Sequence, residues 1–259
     1  MKITINAPAA VLLAGTLALT SGCGDESTPT PSAASAPATT TAAASPPASP
    51  TPPPDAGPAL AKAVAATTAS DFSFSLSENG ESVTGKYDAD TKGVRLDHPE
   101  GAQHTLSMTA MGDDFWVEVE PNTFGHYSNA KMPDGNPLLF LSAPVAALDL
   151  LAGAGGVTVD GNGEYKGAID LTKVSKTNPA VVHLVSDFTE HVGASATALP
   201  FTAKLDPQGR IDKVQIDLAH GNTDGNTVVY GFSAFDYGKP VSVTKPTGRI
   251  VEMPAQAYQ

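Results

Sequence analysis

The sequence predicts an α+β domain in which an antiparallel β-sheet carries two to three helices on one face. Three observations predict this class. Apolar and polar residues alternate with a period of two along both halves of the chain, which is typical of strands with one buried face. Glycine-rich turn signals separate these segments. Between the halves lie two segments with the three-and-four spacing of amphipathic helices.

The first elements are a short helix and a β-meander. The alanine-rich segment 60–66 predicts the helix. In residues 72–77, two phenylalanines and a leucine alternate with serines, which predicts a strand. Asn79-Gly80 is a strong hairpin turn signal. Four more strands are predicted at 82–88, 93–97, 103–110 and 115–120.

A helix is predicted over residues 138–151. One apolar stripe carries it, formed by Leu138, Leu141, Val145 and Leu148. Pro144 lies inside this segment and predicts a kink or a late start, because proline removes a backbone donor and clashes with the preceding turn.

A third helix is predicted to begin at Asn178, the N-cap, with Pro179 at its first position. Its apolar face consists of Val181, Leu184, Val185, Phe188 and Val192. Strands are predicted around this helix at 157–159, 164–171, 201–206, 213–220 and 227–236.

The N-terminus resembles a bacterial lipoprotein signal. Lys2 precedes an apolar stretch, 7–19, and small residues follow it at 20–22, directly before Cys23, the only cysteine. The apolar stretch is shorter than the roughly 20 residues that a membrane span needs. We therefore expect cleavage after residue 22 and attachment of a lipid to the Cys23 thiol. The alternative is an incidental thiol after an ordinary secretory signal.

Composition divides the chain into three parts. Residues 1–22 are the predicted signal peptide. Residues 23–58 hold ten prolines among Ala, Ser and Thr, and such a segment is predicted to be a disordered tether. Residues 59–259 are enough for a single folded domain. The expected location is the extracytoplasmic face of the cell membrane, with the chain held by its lipid anchor and monomeric.

The chain is acidic. Its formal net charge is −12, from 15 basic and 27 acidic side chains. This charge argues against nucleic acid as a partner and against electrostatic docking on anionic lipid headgroups, because both ligands carry negative charge. An acidic surface also favours solubility.

Motifs for catalysis are missing from the sequence. It holds no Gly-x-Ser-x-Gly elbow, no His-Glu-x-x-His and no phosphate-binding loop, so we predict no enzyme activity and no cofactor. Only His183 and His191 share a predicted element, and their separation of about 12 Å along a helix is too large for one metal ion. All six histidines are interpreted as surface residues.

Two acidic segments invite comparison with calcium loops. In the segment from Asp88 to Gly93, Lys92 stands where a ligand is needed, so a β-turn is the simpler interpretation. The segment from Asp160 to Glu164 is interpreted as a hairpin turn, with a weak calcium site left open.

Three stretches together resemble the LppX/LprG class of actinobacterial lipoproteins. They are the tryptophan strand 114–120, the segment 159–171 with its Val-Asp-Gly and Ile-Asp-Leu motifs, and 201–217 followed by the terminal Asp-Tyr-Gly-Lys-Pro of 236–240. This resemblance implies a LolA-like half-barrel, in which a curved antiparallel β-sheet carries the two to three helices on its concave face. It also implies binding of acylated lipids or glycolipids in an apolar cavity and a part in lipid transport.

Strand parity and helix spacing give the candidate lining of that cavity. The expected lipid-binding residues are Phe72, Phe74, Leu76, Leu106, Met108, Phe115, Val117, Leu141, Val145, Leu148, Leu184 and Phe188. An ordinary filled core would use the same residues. Parity places Trp116 with Glu118 and Glu120 away from this face, either capping an edge or on the convex side. The alternative function is a protein-interaction or sensor lipoprotein without a ligand cavity.

Overall fold

A computed structural model describes residues 55–78, 81–100, 104–133, 136, 138–139, 143–218 and 229–258. The predicted signal peptide, Cys23 and most of the predicted tether lie outside these residues, as does the Asn79-Gly80 turn. Within the described part, no helix combines the length and apolar character needed to cross a membrane.

Twelve strands form one open sheet. They are β1 (Phe72–Glu78), β2 (Glu81–Asp88), β3 (Gly93–Glu100), β4 (His104–Met111), β5 (Asp114–Glu120), β6 (Thr123–Ser128), β7 (Ala154–Val159), β8 (Tyr165–Ile169), β9 (Leu199–Leu205), β10 (Ile211–Asp217), β11 (Val229–Phe235) and β12 (Arg249–Glu252). Their spatial order is β12-β6-β5-β4-β3-β2-β1-β11-β10-β9-β8-β7. Every pairing is antiparallel except that of β12 with β6.

Helices cover one face of this sheet. They are α1 (Gly57–Thr68), the 3-10 helix Pro144–Gly153 and α2 (Pro179–Val192). Short 3-10 turns occur at Asn129–Lys131, Gly193–Thr197 and Ala255–Tyr258. The 3-10 helix Pro144–Gly153 contacts both α1 and α2, so the three helices form one layer. The predicted α+β class, an open antiparallel sheet with helices on one face, is confirmed.

The helix starts follow from the sequence. Asn178 caps α2 as predicted, because its side-chain oxygen accepts a hydrogen bond from the Ala180 amide at 3.1 Å. Of the kink and the late start predicted for Pro144, the late start is observed, because the helix begins at this residue. The segment winds as a 3-10 helix, and residues 140–142 before it lie outside the described part.

The core lies between the sheet and the helix layer. Its largest fully buried side chains are Phe72, Phe74, Phe115, Phe188, Phe232, Leu60, Leu96, Leu148, Leu150, Ile169, Leu171 and Leu199. Both halves of the sheet and all three helices contribute to this set, so one apolar cluster holds the domain together.

The chain after β11 crosses the opposite, outer face of the sheet, and we call residues 236–258 the C-terminal strap. The Val241 amide donates to Asp71 Oδ2 at 3.2 Å, and the Val243 amide donates to Asp88 Oδ2 at 3.1 Å. The strap then reaches the sheet edge, where β12 pairs with β6. The alternation pattern indicated neither β6 nor β12 nor this crossing.

The two ends of the described chain lie at opposite edges of the sheet. At the β7 edge, the Ala56 amide donates to the Val157 carbonyl at 2.9 Å, just before α1 begins. At the other edge, β12 covers β6.

Candidate functional site

The predicted lipid-binding residues come together in the apolar interior. Those that are buried, with exposed fractions of 0–6 %, are Phe72, Phe74, Leu76, Met108, Phe115, Leu148, Leu184 and Phe188. Leu106, Val117 and Val145 are half-buried and pack against the same cluster. Leu141 lies outside the described residues. Strand parity and helix spacing therefore identified the correct face at every described position, although this does not show that the residues bind lipid.

Aromatic packing organises this interior. The ring of Phe74 stacks on that of Phe232 with 6.2 Å between centroids, and Phe188 of α2 meets Tyr230 edge-on at 5.3 Å. These contacts join the central strands β1 and β11 to the helix layer. Gly85 makes room for this arrangement, since a Cβ atom there would lie 2.5 Å from Cζ of Phe74.

A pocket of about 440 Å³ opens where strand ends meet the helix layer. It is lined by Thr91, Lys92, Ala110, Met111, Gly112, Asp113, Asn129, Ala130, Leu139, Ala143, Asn178, Pro179 and Ala180. Its volume falls within the range of about 300–1,000 Å³ that is usual for small-molecule sites. None of the residues predicted from parity lines it.

The pocket has an apolar floor and a polar rim. Ala110, Leu139 and Ala180 on the floor also belong to the buried core cluster, so the pocket reaches the interior. Lys92 and Asn178 lie among the polar lining residues. An amphipathic ligand fits this arrangement, because its apolar part meets the core while its polar part stays near water. Apart from Ala110 and Met111 at the end of β4, the lining comes mainly from turns and helix starts, which carry no periodic signal in the sequence.

Asn178 connects the pocket to a carboxylate on the neighbouring helix. Although Asp149 keeps contact with solvent, desolvation by the packed helices raises the pKa of its carboxyl group above the usual value. A hydrogen bond with the Asn178 side chain acts in the opposite direction and lowers this pKa without cancelling the effect.

Trp116 lies on the outer face, as parity predicted, yet it is only 3 % exposed. Its indole ring stacks on the His126 imidazole with 5.4 Å between centroids, and the Lys245 ammonium lies 5.6 Å from the indole centroid. The strap therefore buries a tryptophan that the meander alone would leave on the surface. A second pocket, of about 380 Å³, is lined by Lys131, Met253, Ala255 and Tyr258.

The two calcium-like segments are turns fastened by hydrogen bonds. Lys166 Nζ lies 2.9 Å from Asp160 Oδ2 and 3.1 Å from Glu164 Oε2, so an ammonium group occupies the position a cation would need. This ion pair and two amide hydrogen bonds lower the pKa of Asp160 to about 2. Among the described residues, no group of three or more His, Cys, Asp or Glu residues could hold a metal ion.

The expectation that all histidines are surface residues is wrong for His126. Its side chain is 19 % exposed, and both ring nitrogens contact carboxylates, because β12 covers the edge strand that carries it. His191 is exposed and His183 is half-buried on α2.

Comparison with known proteins gives similarity of structure alone. No protein-family model matches the chain, and no curated protein matches it in sequence. Among solved structures, it is similar to the lipoprotein LppX of Mycobacterium tuberculosis, with 15 % identity, a TM-score of 0.45, and coverage of 73 % of this chain and 97 % of LppX. It is also similar to LprF from Mycobacterium bovis, with 13 % identity, a TM-score of 0.48, and coverage of 74 % and 97 %.

Proposed function

We propose that this protein is a membrane-anchored, extracytoplasmic lipoprotein that binds or transfers an acylated lipid between its sheet and its helices. The observation that carries the proposal is the 440 Å³ pocket, whose floor belongs to the apolar core and whose rim is polar. The sequence resemblance to the LppX/LprG class supports the same function.

The pocket is the proposed entrance rather than the whole binding site. Its volume suits a ligand of small-molecule size, whereas a lipid with several acyl chains needs more space. The buried residues beyond the floor, including Leu148, Leu184 and Phe188, close on each other in the structure. Acyl chains would therefore separate the helix layer from the sheet and replace these contacts with their own.

The anchor is the second part of the proposal. Lipid on the Cys23 thiol would hold the protein at the membrane, since each buried CH₂ group contributes roughly 0.8 kcal/mol. The acidic chain has little electrostatic attraction to anionic lipid headgroups, so an anchor is needed for retention. We expect Cys23→Ser protein to appear in the medium while the parent protein remains in the membrane fraction. Equal membrane retention of both would contradict the anchor.

Native mass spectrometry of unacylated protein tests lipid binding. The Cys23→Ser protein is secreted from a bacterium with a lipid-rich envelope and purified without detergent. We expect a bound lipid mass, which Ala143→Trp removes by filling the pocket. Ala152→Trp is the matched control, because Ala152 is exposed on the adjacent 3-10 helix and does not line the pocket.

The same measurement separates the alternative function. Tight packing of the predicted lining residues is the observation that favours a protein-interaction or sensor lipoprotein, because a filled core needs no ligand. Spectra free of lipid for all variants, together with a protein partner cross-linked on intact cells, would support that alternative. Equal lipid retention by Ala143→Trp would show that the pocket is not the entrance.

A further inference from the structure

The end of the C-terminal strap is held at the sheet edge by one short strand, β12. β12 has four residues, pairs with β6 alone and is mostly exposed. The strap end nevertheless reaches the interior, since Tyr258 is 6 % exposed and belongs to the core cluster. A short edge strand thus holds a buried aromatic side chain in position.

One histidine joins this strand to the rest of the sheet. His126 Nδ1 lies 2.7 Å from Glu252 Oε1 on β12, and His126 Nε2 lies 2.8 Å from Asp114 Oδ1 on β5. Both partners are carboxylates, which only accept hydrogen bonds when ionised, so the ring must carry a proton on each nitrogen to satisfy them. The bridge therefore requires the charged imidazolium form.

The surroundings of His126 favour that form. Burial of the ring lowers its pKa, but the hydrogen bonds and charges of Asp114 and Glu252 outweigh burial and raise the pKa of His126 above its usual value. Trp116 also contacts His126: its indole stacks on the imidazole, and Lys245 of the strap lies over the indole ring. The protonated ring is also the better partner for the indole face.

Tyr258 closes the side of the apolar core beside β6. Its hydroxyl accepts a hydrogen bond from the Ser128 amide at 3.1 Å, and its ring packs edge-on against Tyr127 with 5.6 Å between centroids. The Asn136 side chain donates to the Tyr258 carbonyl at 3.2 Å. The 380 Å³ pocket lies beside the Tyr258 side chain. Departure of the strap end would remove three of the four residues that line this pocket and would open the space that Tyr258 fills.

We propose that His126 is a pH-dependent latch: protonated, it fastens β12 to the sheet, and neutral, it releases residues 249–258 and opens the side of the core that Tyr258 closes. The latch is independent of the proposed lipid binding, because it rests on contacts within the chain. If the protein binds lipid, the latch supplies a second opening into its interior.

The direction of the pH dependence follows from linkage. A histidine whose pKa is raised by docking favours the docked state when protonated. This contribution is fully present below the unfolded pKa of about 6.5 and is lost as the pH rises through the raised pKa of His126. The strap end is therefore held in acidic solution and released in mildly alkaline solution.

Hydrogen exchange on the full-length Cys23→Ser protein tests the latch. The measured quantity is the protection of amides in 249–258, corrected for the intrinsic pH dependence of exchange. Protection is expected to fall with rising pH, by about tenfold for each unit by which the His126 pKa is raised. A pH-independent protection factor in this segment would overturn the proposal.

Two variants and a control distinguish the latch from a structural role. Glu252→Gln changes only an exposed partner on β12, so folding is retained and the midpoint is expected at lower pH. His126→Gln is expected to abolish the transition. His191→Gln, which changes an exposed histidine on α2 near Asp187, should leave it unchanged. The emission of Trp116, the only tryptophan, reports the same midpoint directly. An unshifted midpoint in Glu252→Gln would overturn the latch, whatever the outcome for lipid binding.

Discussion

The side-chain hydroxyl of Thr67 on α1 accepts a hydrogen bond from the Ile211 amide at 2.8 Å and donates to the Ala63 carbonyl at 2.9 Å. Ile211 lies where the pairing of β10 with β9 shifts register, so its amide takes a partner outside the ladder. The Tyr237 hydroxyl also donates to the Ile211 carbonyl, which ties the beginning of the strap to the same point. A helix, a bulged strand and the strap thus meet at one buried threonine.

Thr67→Val should destabilise the domain by about 1–3 kcal/mol, because the buried Ile211 amide loses its acceptor while the side-chain shape is kept. Urea unfolding measures the change. Thr68→Val is the matched control, since the Thr68 hydroxyl bonds only to carbonyls of its own helix. Equal effects of the two substitutions would contradict the role of Thr67.

Asp88→Asn should weaken the attachment of the strap by about 1–3 kcal/mol, measured as the free energy of unfolding. Asp88 is 5 % exposed and accepts hydrogen bonds from the amides of Val243, Asp90 and Thr91. The comparison variant is Asp90→Asn, because Asp90 is exposed and should be insensitive.

The pH dependence of stability should reveal the same carboxylate. Burial raises the pKa of Asp88, but the hydrogen bonds from Val243, Thr91 and Asp90 outweigh it, so the pKa is lowered overall. The stabilisation is present above the unfolded pKa of about 3.9 and is lost as the pH falls through the lowered value. As the pH is lowered, the free energy of unfolding should decrease less steeply in Asp88→Asn than in the parent protein. The same decrease in both proteins would contradict this prediction.

Gly85→Ala should destabilise the domain by about 1–3 kcal/mol through overpacking. A Cβ atom there would lie 2.5 Å from Phe74 Cζ and 2.6 Å from the Arg95 carbonyl oxygen. Gly155→Ala on β7 is the control, because a Cβ atom at Gly155 meets no heavy atom within 4 Å. Its effect on the thermal midpoint should be small, and a loss as large as that of Gly85→Ala would disprove the packing argument.

Leu184→Ala should lower the free energy of unfolding by about 2–5 kcal/mol, because Leu184 is 3 % exposed and its removal leaves a void between α2 and the sheet. The exposed Glu190→Ala on the same helix should change stability by less than about 0.5 kcal/mol. A negligible effect of Leu184→Ala in chemical denaturation would mean that the helix layer packs loosely at this position.

Elements with a clear period were predictable from the sequence, and elements without one were not. β1 alternates two phenylalanines and a leucine with serines, and its bounds and buried face agree with the prediction. The N-cap at Asn178 was equally predictable, because Asn followed by Pro is a local signal for the start of a helix. β6 was missed although it follows its partner β5 directly, because its residues do not alternate between buried and exposed. β12 was missed because it has only four residues and its partner β6 is distant in the chain.

The same distinction applies to the candidate site. Parity placed Phe72 and Met108 in the interior and Trp116 outside it, because the side of a strand follows from position alone. The pocket lined by Lys92, Ala143 and Asn178 was not predictable, since a strand end, turns and helix starts from separate parts of the chain create it. The burial of Trp116 likewise depends on a strap that crosses the sheet from far along the chain.

The hydrogen bond from the Ala56 amide to the Val157 carbonyl occupies a backbone acceptor on the edge strand β7. An unprotected edge strand offers free backbone groups to a second copy and invites edge-to-edge polymerisation. On β7 the Val157 carbonyl already accepts the hydrogen bond from Ala56. Gly156, with a φ angle of 62°, lies where the pairing of β7 with β8 shifts register, which makes the strand irregular. At the opposite end β12 adds one parallel strand of only four residues. The segment before α1 and the C-terminal strap thus each cover one edge of the sheet, which opposes templated aggregation.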